Sequence, residues 1–402
     1  MIHSVIKPKL ILEFPYFMGA IFFIFIVPQA IIIFNQQYLV PRGVIAPLYI
    51  MCFLCLLMVV VGYYFAPEIR VAKFLNFKLD EKKATQIGIV YTVIGCFFYF
   101  LIWRTYAAFD DAGVEAPTQA TGIVTIYFLF YQLINIAFPL FLYLALRNPK
   151  QKYILFAFLA CFPNLYQIIV SGRRETTALF VLSVAYAVFY RYKLVPPRAA
   201  IVAVIVLTML IIPATSDYRS VADKEGSLVA LQTLDLQESF QKYFNEGGKY
   251  LELGVAARII DNYSFSGEFA YGATYWDQII FRYVPAQIVG KDVKRGLMLE
   301  SGGVKFRNGY QMPLGLTATA MGDTFWQFGY LGCIFFFFMG GFFRNLWRAT
   351  LQNDNPLIQI LYTLCVVNAL ISVTHGTINF IPAGMFGFGC LFILAQYAKV
   401  EA

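Results

Sequence analysis

The chain has 402 residues, of which 59% are hydrophobic, 18% aromatic and only 13% charged, with a formal net charge of +8. A soluble domain carries about 25% charged residues, so this composition excludes an ordinary water-soluble fold. The basic residues are scattered over loop ends and form no single stripe, which excludes nucleic acid as the partner.

Several runs of roughly 20 apolar residues are long enough to cross about 30 Å of hydrocarbon, where backbone polar groups must be satisfied within a helix. An all-α polytopic membrane protein is therefore expected. Lys7 and Lys9 precede the first run, about 14–34, which is too long for a signal-peptide core and lacks a small-residue cleavage pattern. Further spans are predicted over about 44–66, 84–103, 121–146, 153–170, 175–190 and 199–214, forming a first transmembrane block, 1–214. The next segment, 215–312, lacks a spanning run, yet a structureless loop of nearly 100 residues would be unusual, so folding is expected there. Within it, Leu228 to Leu253 carries Leu231, Leu234, Phe240, Tyr243 and Phe244 at mixed three-and-four spacing. That pattern predicts one or two amphipathic helices broken at Gly247-Gly248. An aromatic, glycine-rich stretch runs from Tyr263 to Trp276, and charge clusters between Lys291 and Lys305. Spans over about 328–347, 357–374 and 378–397 complete a second block, 313–402, bringing the total to about ten. Gly340-Gly341 and Gly384, Gly387 and Gly389 in these last spans permit tight helix packing.

An even number of spans puts both termini on one side. Loops on that side hold sixteen Lys and Arg, from Lys7 and Lys9 through Arg70, Arg147, Arg191 and Arg348 to Lys399, whereas the short loops opposite hold four: Arg42, Arg104, Arg173 and Arg174. The positive-inside rule makes the rich side cytoplasmic and the 215–312 loop extracytoplasmic. The loop's own eleven basic residues are matched by twelve acidic ones, and long loops cross largely regardless of charge.

Arg173-Arg174 therefore stands out, a cationic pair on the face that otherwise avoids cations. The connection carrying it is only a few residues long, so two helices hold it at the membrane surface. Guanidinium groups fork onto phosphate oxygens, which suits the diphosphate of a lipid-linked substrate. The bland alternatives are contact with phospholipid headgroups or pairing with Glu175. Arg219, just after the seventh span, either completes this cluster or is an ordinary snorkelling residue. His375, in Thr374-His375-Gly376-Thr377, lies on the same face and is a candidate for proton transfer or for a structural hydrogen bond. Asp323 is read as a helix N-cap, with orientation of a sugar hydroxyl as the functional alternative. Tyr271, Tyr275 and Trp276 are candidates for stacking on sugar rings or for the aromatic belt at the membrane interface. All seven cysteines fall in apolar segments, so neither a disulfide framework nor a metal site follows. No phosphate-binding loop, His-Glu-x-x-His or nucleophile elbow occurs.

These residues resemble a family. About ten spans, one large loop late in the chain, Gly172-Arg173-Arg174-Glu175, and Leu314-Gly315-Leu316-Thr317 leading to Gly322-Asp323-Thr324-Phe325-Trp326-Gln327-Phe328-Gly329-Tyr330-Leu331-Gly332 look like a Wzy-type oligosaccharide repeat-unit polymerase of bacterial O-antigen or exopolysaccharide synthesis. The likeness covers most of the chain as architecture and two short stretches as motif; the family often has Glu where this chain has Asp323. The resemblance implies a metal-independent glycosyltransferase of the bacterial inner membrane that needs no cofactor. It would join undecaprenyl-diphosphate-linked oligosaccharides on the extracytoplasmic face, with a chain-length regulator as a candidate partner. Arg173, Arg174 and Arg219 would stabilise the departing diphosphate, and His375, with Asp323 behind it, would accept the proton of the attacking hydroxyl. An O-antigen ligase has similar topology and remains open, as does a transporter or flippase of lipid-linked sugars.

Overall fold

A computed structural model describes residues 6–69, 75, 77–111, 123–171, 173–246, 251–299, 304, 306, 310–312, 316–353 and 355–400. The fold is helical, and an isolated antiparallel bridge between Leu79 and Lys399 joins two loop ends. Nine helical stretches among the described residues are long and apolar enough to cross a membrane. The chain is an all-α, polytopic membrane protein.

Helix α1 (Phe14–Asn35) is followed by α2 (Ile45–Phe65) and α3 (Glu81–Asp111). The fourth predicted span is two pieces, α4 (Ile123–Tyr131) and α5 (Ile134–Arg147), with a turn at Gln132-Leu133 between them. Helices α6 (Gln151–Ser171) and α7 (Arg174–Tyr192) come next. Arg174, Glu175 and Arg191 lower the hydropathy of α7, which is why this helix, the sixth predicted span, is outside the nine. Helix α8 (Arg198–Glu225) continues well past the predicted end at 214, its register carried through Pro213.

The large loop supplies α9 (Ser227–Thr233), α10 (Leu236–Glu246), α11 (Glu252–Ser266), α12 (Ala273–Tyr283), α13 (Ala286–Val289) and α14 (Lys291–Leu297). Gly247-Gly248, the expected break, lies outside the described residues. Helix α11 is not a surface helix. Leu253, Val255, Ala256, Ala257, Ile259 and Ile260 are all buried in the common core, and Gln29 of α1 grips its start, donating to Glu252 at 3.1 Å and accepting from the Leu253 amide at 2.8 Å.

The eighth predicted span starts earlier than expected and is broken. Helix α15 (Thr319–Phe328) is buried throughout all but its last residue, a 3-10 turn over Gly329–Cys333 follows, and α16 (Ile334–Gln352) completes the crossing. Gly329 makes the break, with φ 58°, a conformation that disfavours a Cβ. Then come α17 (Pro356–His375) and α18 (Phe380–Ala398). Helix α17 is the axis of the bundle: 78% of its apolar window is buried, against 28% for α18.

The glycine expectation divides. A Cβ on Gly62 would lie 2.0 Å from the Phe337 carbonyl oxygen and one on Gly340 would lie 2.3 Å from that of Val59, so α2 and α16 touch backbone to backbone. Gly384 and Gly389 of α18 have nothing within 4 Å, so they serve no close contact.

Loops at one end of the bundle are cross-linked. Arg198 donates to the Ile6 carbonyl at 3.1 Å, Arg191 to that of Leu146 at 3.0 Å and Arg344 to that of Tyr64 at 2.9 Å. Arg348 pairs with Glu68, and the Val400 amide donates to the Lys78 carbonyl at 3.1 Å. These belong to the set of basic loops assigned to one side by charge counting. At the opposite end, Arg258 donates to the Leu39 carbonyl at 2.9 Å and Gln36 to that of Phe244 at 3.2 Å, tying the first short loop to the large one.

Candidate functional site

A cavity of about 340 Å³ opens among α4, α5, α6, α7, α12, α17 and α18. The backbone around it is irregular for identifiable reasons. Gln132 sits on the turn between α4 and α5, while Pro139 and Pro163 interrupt the hydrogen-bond ladders of α5 and α6. The carbonyl four residues before Pro163, that of Leu159, takes the Cys96 thiol instead, at 3.9 Å.

Arg173, Glu175, Arg282 and His375 line this one cavity. Arg173 occupies the N-cap position of α7, its carbonyl accepting from the Thr177 amide at 3.1 Å and hydroxyl at 2.9 Å. Its exposed side chain thus stands where the helix dipole is positive, a setting that favours anions. Arg173 and Arg282 both act electrostatically on Glu175, so the two guanidinium groups share one patch. His375 ends α17, with its Nδ1 2.7 Å from the Thr374 hydroxyl. The helix ends on Gly376 at φ 112°.

Arg174 begins α7 and Arg219 lies in α8, but both side chains lie outside the described residues, as do Leu314 and Gly315. Asp323 is 2% exposed, lies in the middle of α15 and does not line the cavity. It does not cap its own helix. Its Oδ2 accepts from the Thr377 hydroxyl at 2.6 Å and from the Ile378 amide at 2.8 Å, closing the turn that leads into α18. Since Thr377 spends its proton on Asp323, the Tyr275 hydroxyl, 2.7 Å from the Thr377 oxygen, donates to it. The Tyr275 ring stacks on Phe335 with centroids 6.0 Å apart. Burial and then the neighbouring Asp323 carboxylate push the Tyr275 phenol far above its ordinary range, so it remains a donor. Tyr271 and Trp276 are exposed on the loop layer; the Trp276 indole is held by the Leu297 carbonyl at 2.8 Å. None of the three aromatic residues lines the cavity.

Arg282 was not distinguished from the other basic residues of the loop by sequence reasoning. The available signal is spacing. Tyr275, Gln278 and Arg282 recur at i, i+3 and i+7, one face of α12, and the first two bond Thr377 and, at 3.4 Å, Asn379. Six carboxamides were also passed over: Gln132, Asn135, Asn164, Gln167, Asn368 and Asn379 line the same cavity. Their signal was position, since amide side chains inside apolar spans are costly in lipid.

The arrangement can hold an anionic group at its cationic rim beside an imidazole able to accept a proton. No protein-family model matches this chain, and no curated protein or solved structure matches it either.

Proposed function

We propose that this protein is a polysaccharide polymerase of the bacterial inner membrane, with both termini cytoplasmic, that joins undecaprenyl-diphosphate-linked oligosaccharide repeat units on the extracytoplasmic face. The observation that carries the reading is the convergence of Arg173, Arg282 and His375 on one cavity. In the reaction a hydroxyl of the acceptor sugar attacks the anomeric carbon of the donor, forming a C–O bond as the bond from that carbon to the diphosphate oxygen breaks. The hydroxyl proton passes to His375, and undecaprenyl diphosphate departs with the bonding electrons. Arg173 and Arg282 face the charge that develops on the leaving oxygen, where fixed guanidinium groups stabilise the transition state more than the ground state. Arg174 and Arg219 are proposed to extend this cationic rim. Asp323 and Tyr275 hold the His375 turn through Thr377. Tyr271 and Trp276 are proposed to stack on the emerging sugar chain.

The test is reconstitution. The purified chain in liposomes with undecaprenyl-diphosphate-linked repeat units should give a ladder of longer lipid-linked saccharides without nucleotide or added metal. Products transferred only to a lipid A core acceptor would make the protein a ligase, and movement of the lipid-linked sugar across the bilayer with no new glycosidic bond would make it a flippase.

A further inference from the structure

The rim of the cavity accounts for an anion, but its depth has a different chemistry. On α17, Asn368 lies two turns before His375, about 10 Å further in at 1.5 Å per residue. Leu364, still deeper on the same helix, also lines the space, as do Val367 and Ile371. Around Asn135, Asn164 and Asn368 the polar lining is carboxamide and the Tyr131 hydroxyl, whereas Gln167 belongs to the rim, its backbone carbonyl accepting from the Arg173 amide at 3.5 Å.

Three of the carboxamides are already oriented. The Tyr131 hydroxyl donates to Asn164 Oδ1 at 2.7 Å, and Asn164 Nδ2 donates to Asn135 Oδ1 at 3.2 Å. Likewise the Thr176 hydroxyl donates to Gln167 Oε1 at 3.1 Å. Each interaction uses a carbonyl oxygen of the receiving amide. The NH2 groups of Asn135 and Gln167, and the whole carboxamide of Asn368, have no hydrogen-bond partner among the described residues. Asn164 and Gln167 are 0% and 7% exposed, so the array is built into the bundle and is not a wet surface feature. Amides facing a cavity within a membrane are expensive unless a ligand or water meets them.

The ligand this lining fits is uncharged, rich in hydroxyls and with one apolar face. Carboxamides offer both a donor and an acceptor, the pairing that vicinal hydroxyls require, and Leu364, Val367 and Ile371 supply apolar contact for ring C–H groups. The whole cavity, rim included, measures about 340 Å³, so its inner part has room for no more than about one hexose ring. We infer that the inner part of the cavity is a binding site for one neutral sugar ring, read by Asn135 and Asn368, with Gln167 where it meets the rim. This deepens the polymerase reading and rests on it for the identity of the donor and acceptor, while the sugar site itself requires no reaction.

The experiment uses the full chain in lipid nanodiscs with a mixture of glucose, galactose, mannose, N-acetylglucosamine and N-acetylgalactosamine at millimolar concentration. Saturation-transfer NMR should show transfer to at least one of them. Asn368→Leu and Asn135→Leu should each cut that signal tenfold or more. Leu is close to Asn in shape and the Asn368 carboxamide is unpartnered, so the thermal transition of Asn368→Leu should persist, whereas Asn135→Leu removes the acceptor of the buried Asn164 Nδ2 and should melt somewhat lower while still folding. Should a Leu variant lose that transition, Asn368→Ser replaces it, with the same loss of signal expected. Absence of transfer to all five sugars, or transfer undiminished in the folded double variant, would overturn the sugar site. A chain that binds sugar through Asn368 but makes no polymer overturns the polymerase reading alone. A chain that polymerises with Asn368→Leu at wild-type yield and length overturns the sugar site alone.

Discussion

Asp323 and Thr377 meet at 2.6 Å, a buried carboxylate on α15 holding the hydroxyl that follows the His375 turn. The same oxygen accepts the Ile378 amide, and Gly376 stands so close that an added Cβ would be 3.4 Å from Oδ2. One side chain therefore ties α15 to the link between α17 and α18. Asp323→Ala leaves a buried hydroxyl and a backbone N–H without an acceptor, a loss of about 1–3 kcal/mol for each such group. Its melting temperature in detergent should fall clearly below that of the parent, and Asp323→Asn, which keeps one acceptor oxygen, should recover part of the difference. An Ala variant that melts with the parent would mean that the turn is held by other contacts.

Proton acceptance by His375 makes a separate demand. His375→Ala should slow transfer by roughly 10²–10⁴-fold while lipid-linked repeats still bind. His375→Gln should not restore the rate, because an amide hydrogen-bonds without taking the proton. Near-normal polymer from the Gln variant, in cells and in the purified assay, would leave His375 a structural hydrogen-bonder.

For the cationic rim, Arg282→Ala should lower the transfer rate by about 10²–10³-fold, the usual cost of removing one fixed donor from a developing oxyanion. Arg173→Ala should do the same, and Arg173→Lys should rescue poorly, since ammonium lacks the bidentate fork. Protein abundance in the membrane should stay unchanged. Unaltered polymer in the Arg173→Ala, Arg282→Ala double variant would reduce the patch to a headgroup contact.

Close packing of α2 on α16 predicts an asymmetry among glycines. Gly62→Ala would drive its methyl into the Phe337 carbonyl and should cost about 1–3 kcal/mol. Gly384→Ala, with nothing within 4 Å, should leave the melting temperature where it was. Equal effects of the two substitutions would contradict the packing.

Sidedness can be read with reporter fusions. Fusions at Lys78, Tyr192 and the C-terminus should report the cytoplasm, and fusions within residues 220–310 the outside. Lys78 and Val400 are hydrogen-bonded neighbours, so reporters at those two ends must agree with each other whichever side they are on. A cytoplasmic large loop would put the cavity mouth on the side away from the proposed substrate.

Helicity, membrane embedding and the partition of charge between the two ends were legible in the sequence because each is a local property. Lipid forces every apolar run to satisfy its own backbone, and loop charges act one loop at a time. Arg173 and His375 were legible for the same reason, as polar residues on the face that otherwise avoids them. The convergence of these two with Arg282 and with Asn135, Gln167 and Asn368 was decided only by the tertiary structure. It depends on α12 docking against the start of α18 and on the proline and turn breaks in α4, α5 and α6, contacts between remote segments that no periodicity along the chain encodes. Asp323 illustrates the limit. Its suitability as an acceptor for free backbone and hydroxyl donors was readable from its chemistry, but the groups it holds lie 54 and 55 positions later, in the turn leading into α18, and only packing brings them together.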